Sequence, residues 1–298
     1  MRRNFDPTRI KVPIAPATFL PLADDRISMN QILRNRFIRS FLMAAILVCF
    51  CPCALCLSAA RADEKAVVEA WVKRQIADER LSVTFYDPAK PPKPFPGWTD
   101  FEFRLEYNYE YDYDVVRKGK RQSVVISPKF TQIDVPTRNL VQLPNTINPD
   151  RWHESPLGQH ELEHVRVGVH PRLKLLGRHL VRKITRLEEP GGAAGSTFNV
   201  TPEMVANRID RAITLRRDAI QNLVTRINQK IDKETRHGSA PFPELDQFLE
   251  RLYLKECLDE YKFEFLPDVL DLIDSREYQR AKLELNDPRP DLKTPEKK

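Results

Sequence analysis

Cysteine is scarce in this chain and badly placed for cross-linking. Four of the five cysteines lie between residues 49 and 56, and only Cys257 follows. Once the N-terminal segment is removed no intramolecular disulfide can form, so the core must hold the protein together. Cys49, Cys51, Cys53 and Cys56 read as filler of an apolar run, although their C-x-C-x-x-C spacing imitates a metal cluster. Methionine is as sparse, and Met204 alone follows that run. A lasting excess of charge is missing too. The formal net charge is +6, but nine of the 48 basic and three of the 42 acidic side chains fall in residues 1–62, which leaves 39 of each beyond. A neutral mature chain lacks the electrostatic footprint of a nucleic-acid binder.

Only one long hydrophobic run exists, from Phe41 to Leu57, interrupted by Pro52. Arg34, Arg36 and Arg39 precede it, and Ala60-Arg61-Ala62 places small residues at −3 and −1 of a cleavage site. This predicts a signal peptide, a mature protein beginning at Asp63, and a secreted or periplasmic location. The rival reading is an uncleaved anchor, for which the run is slightly short. Met29 would start a signal of ordinary length, so residues 1–28 read as an upstream extension.

Residues 64–80 carry Val67, Val68, Trp71, Val72 and Ile76 near helical spacing, and Leu81 to Tyr86 predicts a strand. Asp87-Pro88 to Pro96 is a proline-rich connector. From Phe101 to Tyr113 apolar and polar residues alternate, which predicts one long antiparallel strand with a wet face. Its tyrosine ladder could bind carbohydrate, but packing on the core is the simpler role. Further strands are expected near Ser123–Val135 and Leu140–Leu143. Beyond them the chain reads as helical. One helix starts at Pro156 and is ended or kinked at Pro171, and another covers 172–187. Pro190 to Gly195 reads as a flexible loop. A long helix then runs from Thr201-Pro202 to Glu234, with a stripe of Val205, Ile209, Ile213, Ile220, Leu223, Ile227 and Ile231. Two shorter helices follow in 243–283, and 287–298 reads as a disordered tail. The class is α+β, a small antiparallel sheet followed by a mostly helical half.

The most informative stretch is His160-Glu161-Leu162-Glu163-His164. Ser155 suits a helix N-cap and Pro156 the first helical position. His160 and His164 then sit at i and i+4 on one face, as two imidazoles gripping one Zn²⁺ require. Glu161 lies about 100° round the helix, placed to take a proton from a metal-bound water rather than to ligate. A structural metal site has no use for such a base. Zinc needs a third protein ligand. His170 stands at the metzincin offset, but Val167 occupies that pattern's glycine position and no Met-turn follows. A carboxylate such as Asp232 or Glu234 is another candidate. His153 and His179 read as surface or packing residues, Glu154 and Glu163 as solvated.

Three features in order resemble a known family. Leu143-Pro144 closes a β-rich segment, the H-E-x-x-H helix follows, and the long helix ends in Asp232-Lys233-Glu234-Thr235-Arg236-His237-Gly238, with Phe242-Pro243 just beyond. This is similar to a bacterial family of exported proteins of unknown function regarded as secreted zinc-dependent proteases, over roughly residues 81–243. The resemblance implies a zincin-like domain, one Zn²⁺, a cell-envelope location, and His237 as the third ligand beside His160 and His164. Asp232 would then accept a hydrogen bond from a ligand histidine. The family usually has glycine where this chain has Glu163, its segment between the closing motif and Phe-Pro is longer, and 244–298 has no counterpart. The expected organisation is a leader over 1–62, a metallopeptidase domain over 63–243, a helical extension over 244–286 and a tail over 287–298. The expected function is an exported zinc metallopeptidase acting on peptide or amide bonds, including those of cell-wall peptides, with Glu161 as general base. The alternative is a non-catalytic metal-binding or interaction protein of the cell envelope. Membrane contact is expected only through an uncleaved leader.

Overall fold

A computed structural model describes residues 53–89, 95–193, 199–283 and 285, with side chains from Lys65 onward apart from those of 192 and 193. The signal-peptide features and the 287–298 tail lie almost wholly outside the described residues. Among the described residues no helix is long and apolar enough to cross a membrane. The elements after Arg61 belong to one unit.

The protein is mixed α+β with two three-stranded sheets and a helical half. Helix α1 spans Cys53–Ala77 and leads into β1, Leu81–Tyr86. β2 covers Trp98–Phe103, β3 Glu106–Lys118, β4 Arg121–Asp134 and β5 Thr137–Pro144. The first sheet has the order β1-β5-β2, with β1 parallel and β2 antiparallel to β5. The second has the order β3-β4-β6 and is antiparallel. The single antiparallel sheet expected from the pattern is therefore two, one of them with a parallel pair.

The cause lies at one bend. The alternating run 101–113 is not one strand. It breaks at Arg104-Leu105, opposite Val135-Pro136, where Pro136 has no N–H for a ladder and its carbonyl instead accepts from the Arg104 N–H (3.1 Å). Leu105 and Val135 turn into the core there. One long hairpin thus feeds two sheets: Phe101 and Phe103 stay in the first, and the tyrosines go to the second. Tyr107, Tyr109 and Tyr111 pack against the core as expected, and the Tyr107 hydroxyl donates to Asp210 Oδ1 (2.7 Å).

The expected loop after Pro190 is also corrected. Leu187–Ala193 forms β6, paired with β4. Pro190 fits because β6 is an edge strand, where a missing N–H breaks no second ladder.

Helix α2 spans Pro156–Gly168, α3 Pro171–Arg182 and α4 Pro202–Thr235. At 34 residues α4 is about 50 Å long. The stripe from Val205 to Ile231 is buried in the larger core, with α4 packed against α2, α3 and β6. α2 packs between two cores. Leu162, Val165 and Val169 join Trp71, Leu81, Val141 and Leu143, while Val167 joins the larger core.

Four short helices replace the two expected in 243–283: α5 Leu245–Arg251, α6 Lys255–Glu260, α7 Leu266–Ile273 and α8 Arg276–Arg280. Left-handed residues at Tyr253 (φ 62°) and Lys262 (φ 49°) break the run. They are stapled to α3 by Arg172. The residue is 2% exposed, and its guanidinium donates to the carbonyls of Glu250 (2.6 Å), Leu252 (3.0 Å) and Tyr278 (3.2 Å). Arg172→Met would keep the stem but orphan three buried carbonyls. It should cost about 2–4 kcal/mol of stability, read by urea unfolding. A loss below 0.5 kcal/mol, about the size of an ordinary surface substitution, would show that the staple does not anchor these helices.

Candidate metal centre

α2 is set by its first turn. The Ser155 hydroxyl accepts from the Gly158 N–H (3.0 Å) and donates to the Trp152 carbonyl (2.7 Å), and Pro156 follows it. From this start His160 and His164 fall on the face turned to the last turn of α4, where Asp232 stands. Asp232 Oδ1 lies 3.2 Å from His160 Nε2 and 3.2 Å from His164 Nε2, and the two imidazole nitrogens are 3.2 Å apart. Three donors about 2.0–2.1 Å from one shared ion stand about 2.9–3.4 Å apart, whether they mark an octahedral face or a tetrahedral one. The observed triangle has that size. Both histidines are buried and the Asp232 side chain is one-third exposed. Among the described residues His160, His164 and Asp232 thus form a buried group that could hold a metal ion.

The electrostatics agree. Burial opposes charge on the Asp232 carboxyl, yet the hydrogen bonds from His160 and His164 hold it well below the usual carboxylate range. Burial pulls His160 down, but Asp232 and Glu163 outweigh it and push it up to about 9. Two buried imidazoles around one carboxylate therefore demand a positive charge, which a proton or a cation supplies.

Glu161 stands beside this group. The residue is 2% exposed, and Oε2 accepts from the Thr99 hydroxyl of β2 (2.6 Å). Burial raises its pKa, opposed by His164 and Thr99. Gly97 closes over it, and a Cβ there would collide with Glu161 Oε1.

His237 is not in the group of three. α4 ends at Arg236 in the left-handed region (φ 51°), and His237 follows at φ 55°. The turn leaves the His237 side chain 50% exposed, with Nδ1 3.6 Å from Asp232 Oδ1. Its ring stacks on Phe95 (centroids 4.4 Å apart, 24° between planes). Gly238, at φ 78°, lies near the His160 ring, and a Cβ there would sit 3.0 Å from His160 Cβ and Cγ. Glu234 is exposed on the far side of α4.

His170 serves elsewhere. It is fully buried as the N-cap of α3, with Nδ1 accepting from the Arg172 N–H (3.2 Å). His153 and His179 pack as expected, the latter with Nε2 3.1 Å from the Asp268 carbonyl. Glu154 pairs with Arg151, but Glu163, expected to be solvated, has a side chain only 12% exposed beside His160. Thr99, Gly97 and Phe95 carry no sequence signal for the site, because only the fold brings β2 and the connector to α2. The chain matches no family model, no curated protein and no solved structure.

Elemental analysis of dialysed protein should find metal largely lost from Asp232→Ala and mostly retained by His237→Ala. The opposite order would make His237 the third ligand. A second outcome concerns acid. Burial, reinforced by Arg172, drops the His170 pKa from 6.5 to about 3. Below pH 6.5 the unfolded chain takes a proton that the folded chain refuses. The stabilisation is therefore complete above pH 6.5 and lost towards pH 3. His170→Asn keeps a capping side chain without this liability. The stability gap between wild type and variant should narrow by about 1 kcal/mol from pH 6 to pH 5. A gap constant with pH would contradict a neutral, buried His170.

Proposed function

We propose that this protein is an exported zinc metallopeptidase of zincin-like architecture. His160, His164 and Asp232 would hold the ion, and Glu161 would act as general base. The supporting observation is the placement of Glu161: it lies on the ligand helix between the two histidines, its carboxylate held by Thr99 and its pKa lifted by burial. A base is most effective when its pKa approaches the working pH. Two imidazoles and a carboxylate suit zinc. Zinc bound there would supply Lewis acidity to a scissile carbonyl and make an attacking water more acidic.

The residues of this chain would do the rest. Glu161 takes a proton from the attacking water as the new C–O bond forms. When the C–N bond breaks, the same carboxyl gives that proton to the leaving amine. Thr99 holds Oε2 and leaves Oε1, against which Gly97 lies, to accept the proton. The substrate class is a peptide or related amide, and export through the N-terminal leader points to the cell envelope. A second reading, a non-catalytic metal-binding protein of the envelope, draws on the cover that Gly97 places over Glu161.

Glu161→Gln separates the two. The amide spares the packing but cannot accept the proton. The variant should keep its metal and fold while hydrolysis falls about 10²–10⁴-fold, measured on a substrate found by screening peptide libraries and cell-wall peptides. Equal rates for wild type and variant would remove Glu161 from the mechanism.

A further inference from the structure

We infer that Glu163 is a positioning residue for His160, accepting its Nδ1–H and so setting the metal affinity of the group. The inference rests on the metal reading above. It starts from a buried atom with nothing to bond. Glu163 Oε2 is buried, has no hydrogen-bond partner, and lies 3.6 Å from His160 Nδ1. A buried carboxylate oxygen left unpaired is costly. His160 offers the complement. Its Nε2 is turned towards Asp232 and His164, so a ring that ligates through Nε2 must carry its proton on Nδ1. Glu163 Oε2 is within reach of that N–H, and a shift of a few tenths of an ångström brings the 3.6 Å separation to hydrogen-bond length.

Helix geometry explains the reach. Side chains on a helix lean towards its N-terminus, so a residue at i+3 covers the turn below it. Glu163 is three residues after His160 and leans back over it. Gly238 lies close to the ring, where even a Cβ would stand 3.0 Å from His160 Cγ, so the ring has little room on that side. One other acceptor is near. Thr235 Oγ1 is 3.4 Å from Nδ1, gives its own proton to the Ile231 carbonyl (2.8 Å) and accepts from the Gly238 N–H (3.2 Å). A neutral hydroxyl already engaged twice is a weaker acceptor than a carboxylate, whose bonds are charge-assisted. His164 has no such support, since its Nδ1 is buried without a partner. Glu163 therefore acts at one of the two imidazoles. A carboxylate behind a ligating histidine fixes tautomer and ring orientation and raises ligand basicity.

The test is zinc affinity of the full chain, by competition with a chelating indicator, for wild type, Glu163→Gln, Glu163→Ala and Thr235→Val. Both Glu163 variants should bind zinc about 10–100-fold more weakly. The thermal midpoint of metal-free Glu163→Gln should match that of wild type. In the zinc-loaded protein the slowly exchanging Nδ1–H proton of His160 should move upfield in Glu163→Gln. Wild-type affinity in Glu163→Gln would overturn the inference and leave the metal reading standing. So would a loss confined to Thr235→Val, which would assign the acceptor to Thr235. A fall in the metal-free midpoint that accounts for the lost affinity would also overturn it, by making Glu163 a folding residue. A wild-type chain that binds no zinc would overturn the metal reading, and this inference with it.

Discussion

One carboxylate oxygen, Asp232 Oδ1, joins the end of α4 to both imidazoles of α2, and much of the structure serves to deliver it there. Burying two histidines and an aspartate is unfavourable unless their charges are matched. The register of α4 is what brings them together. Its stripe of Ile220, Leu223, Ile227 and Ile231 locks the helix against the core, and Asp232 follows Ile231 directly. A slip of one residue would swing the carboxylate about 100° away from α2. At the other side Ser155 and Pro156 fix where α2 begins and hence which face His160 and His164 occupy.

The β-structure reaches the same point by another route. The bend at Arg104-Leu105 and Val135-Pro136 keeps β2 in the first sheet, close to α2, instead of letting it run on into the tyrosine-bearing strand. Thr99 on β2 can then hold Glu161, and Gly97 just before β2 can lie against it. Phe95 and His237 stack on one another, one from the connector and one from the end of α4. Glu161 is thus oriented by the sheet, and the candidate ligands by the helices.

Much of this was legible in the chain itself. The cap at Ser155, the i and i+4 histidines and the long stripe of α4 are local patterns, and local patterns survive folding. Asp232 was visible as one carboxylate among several candidates. What ranks it beside His160 and His164 is the left-handed turn at Arg236 and His237, which sends the His237 ring outward and which no residue type there announces. The run from Phe101 to Tyr113 misleads for a related reason. Its alternation is unbroken, and the break is imposed by Pro136, a residue more than thirty positions from the start of the run. Glu163 likewise reads as solvated by residue type and is buried only because α4 covers that face of α2.

The central claim is that α2 and α4 together hold a metal ion through two imidazoles and one carboxylate. X-ray absorption at the zinc edge of the zinc-loaded full chain tests it most directly. The account predicts one ion per chain with two imidazole nitrogens and a carboxylate oxygen at about 2.0–2.1 Å. Three imidazoles, any sulfur, or a shell of water oxygens alone would contradict it.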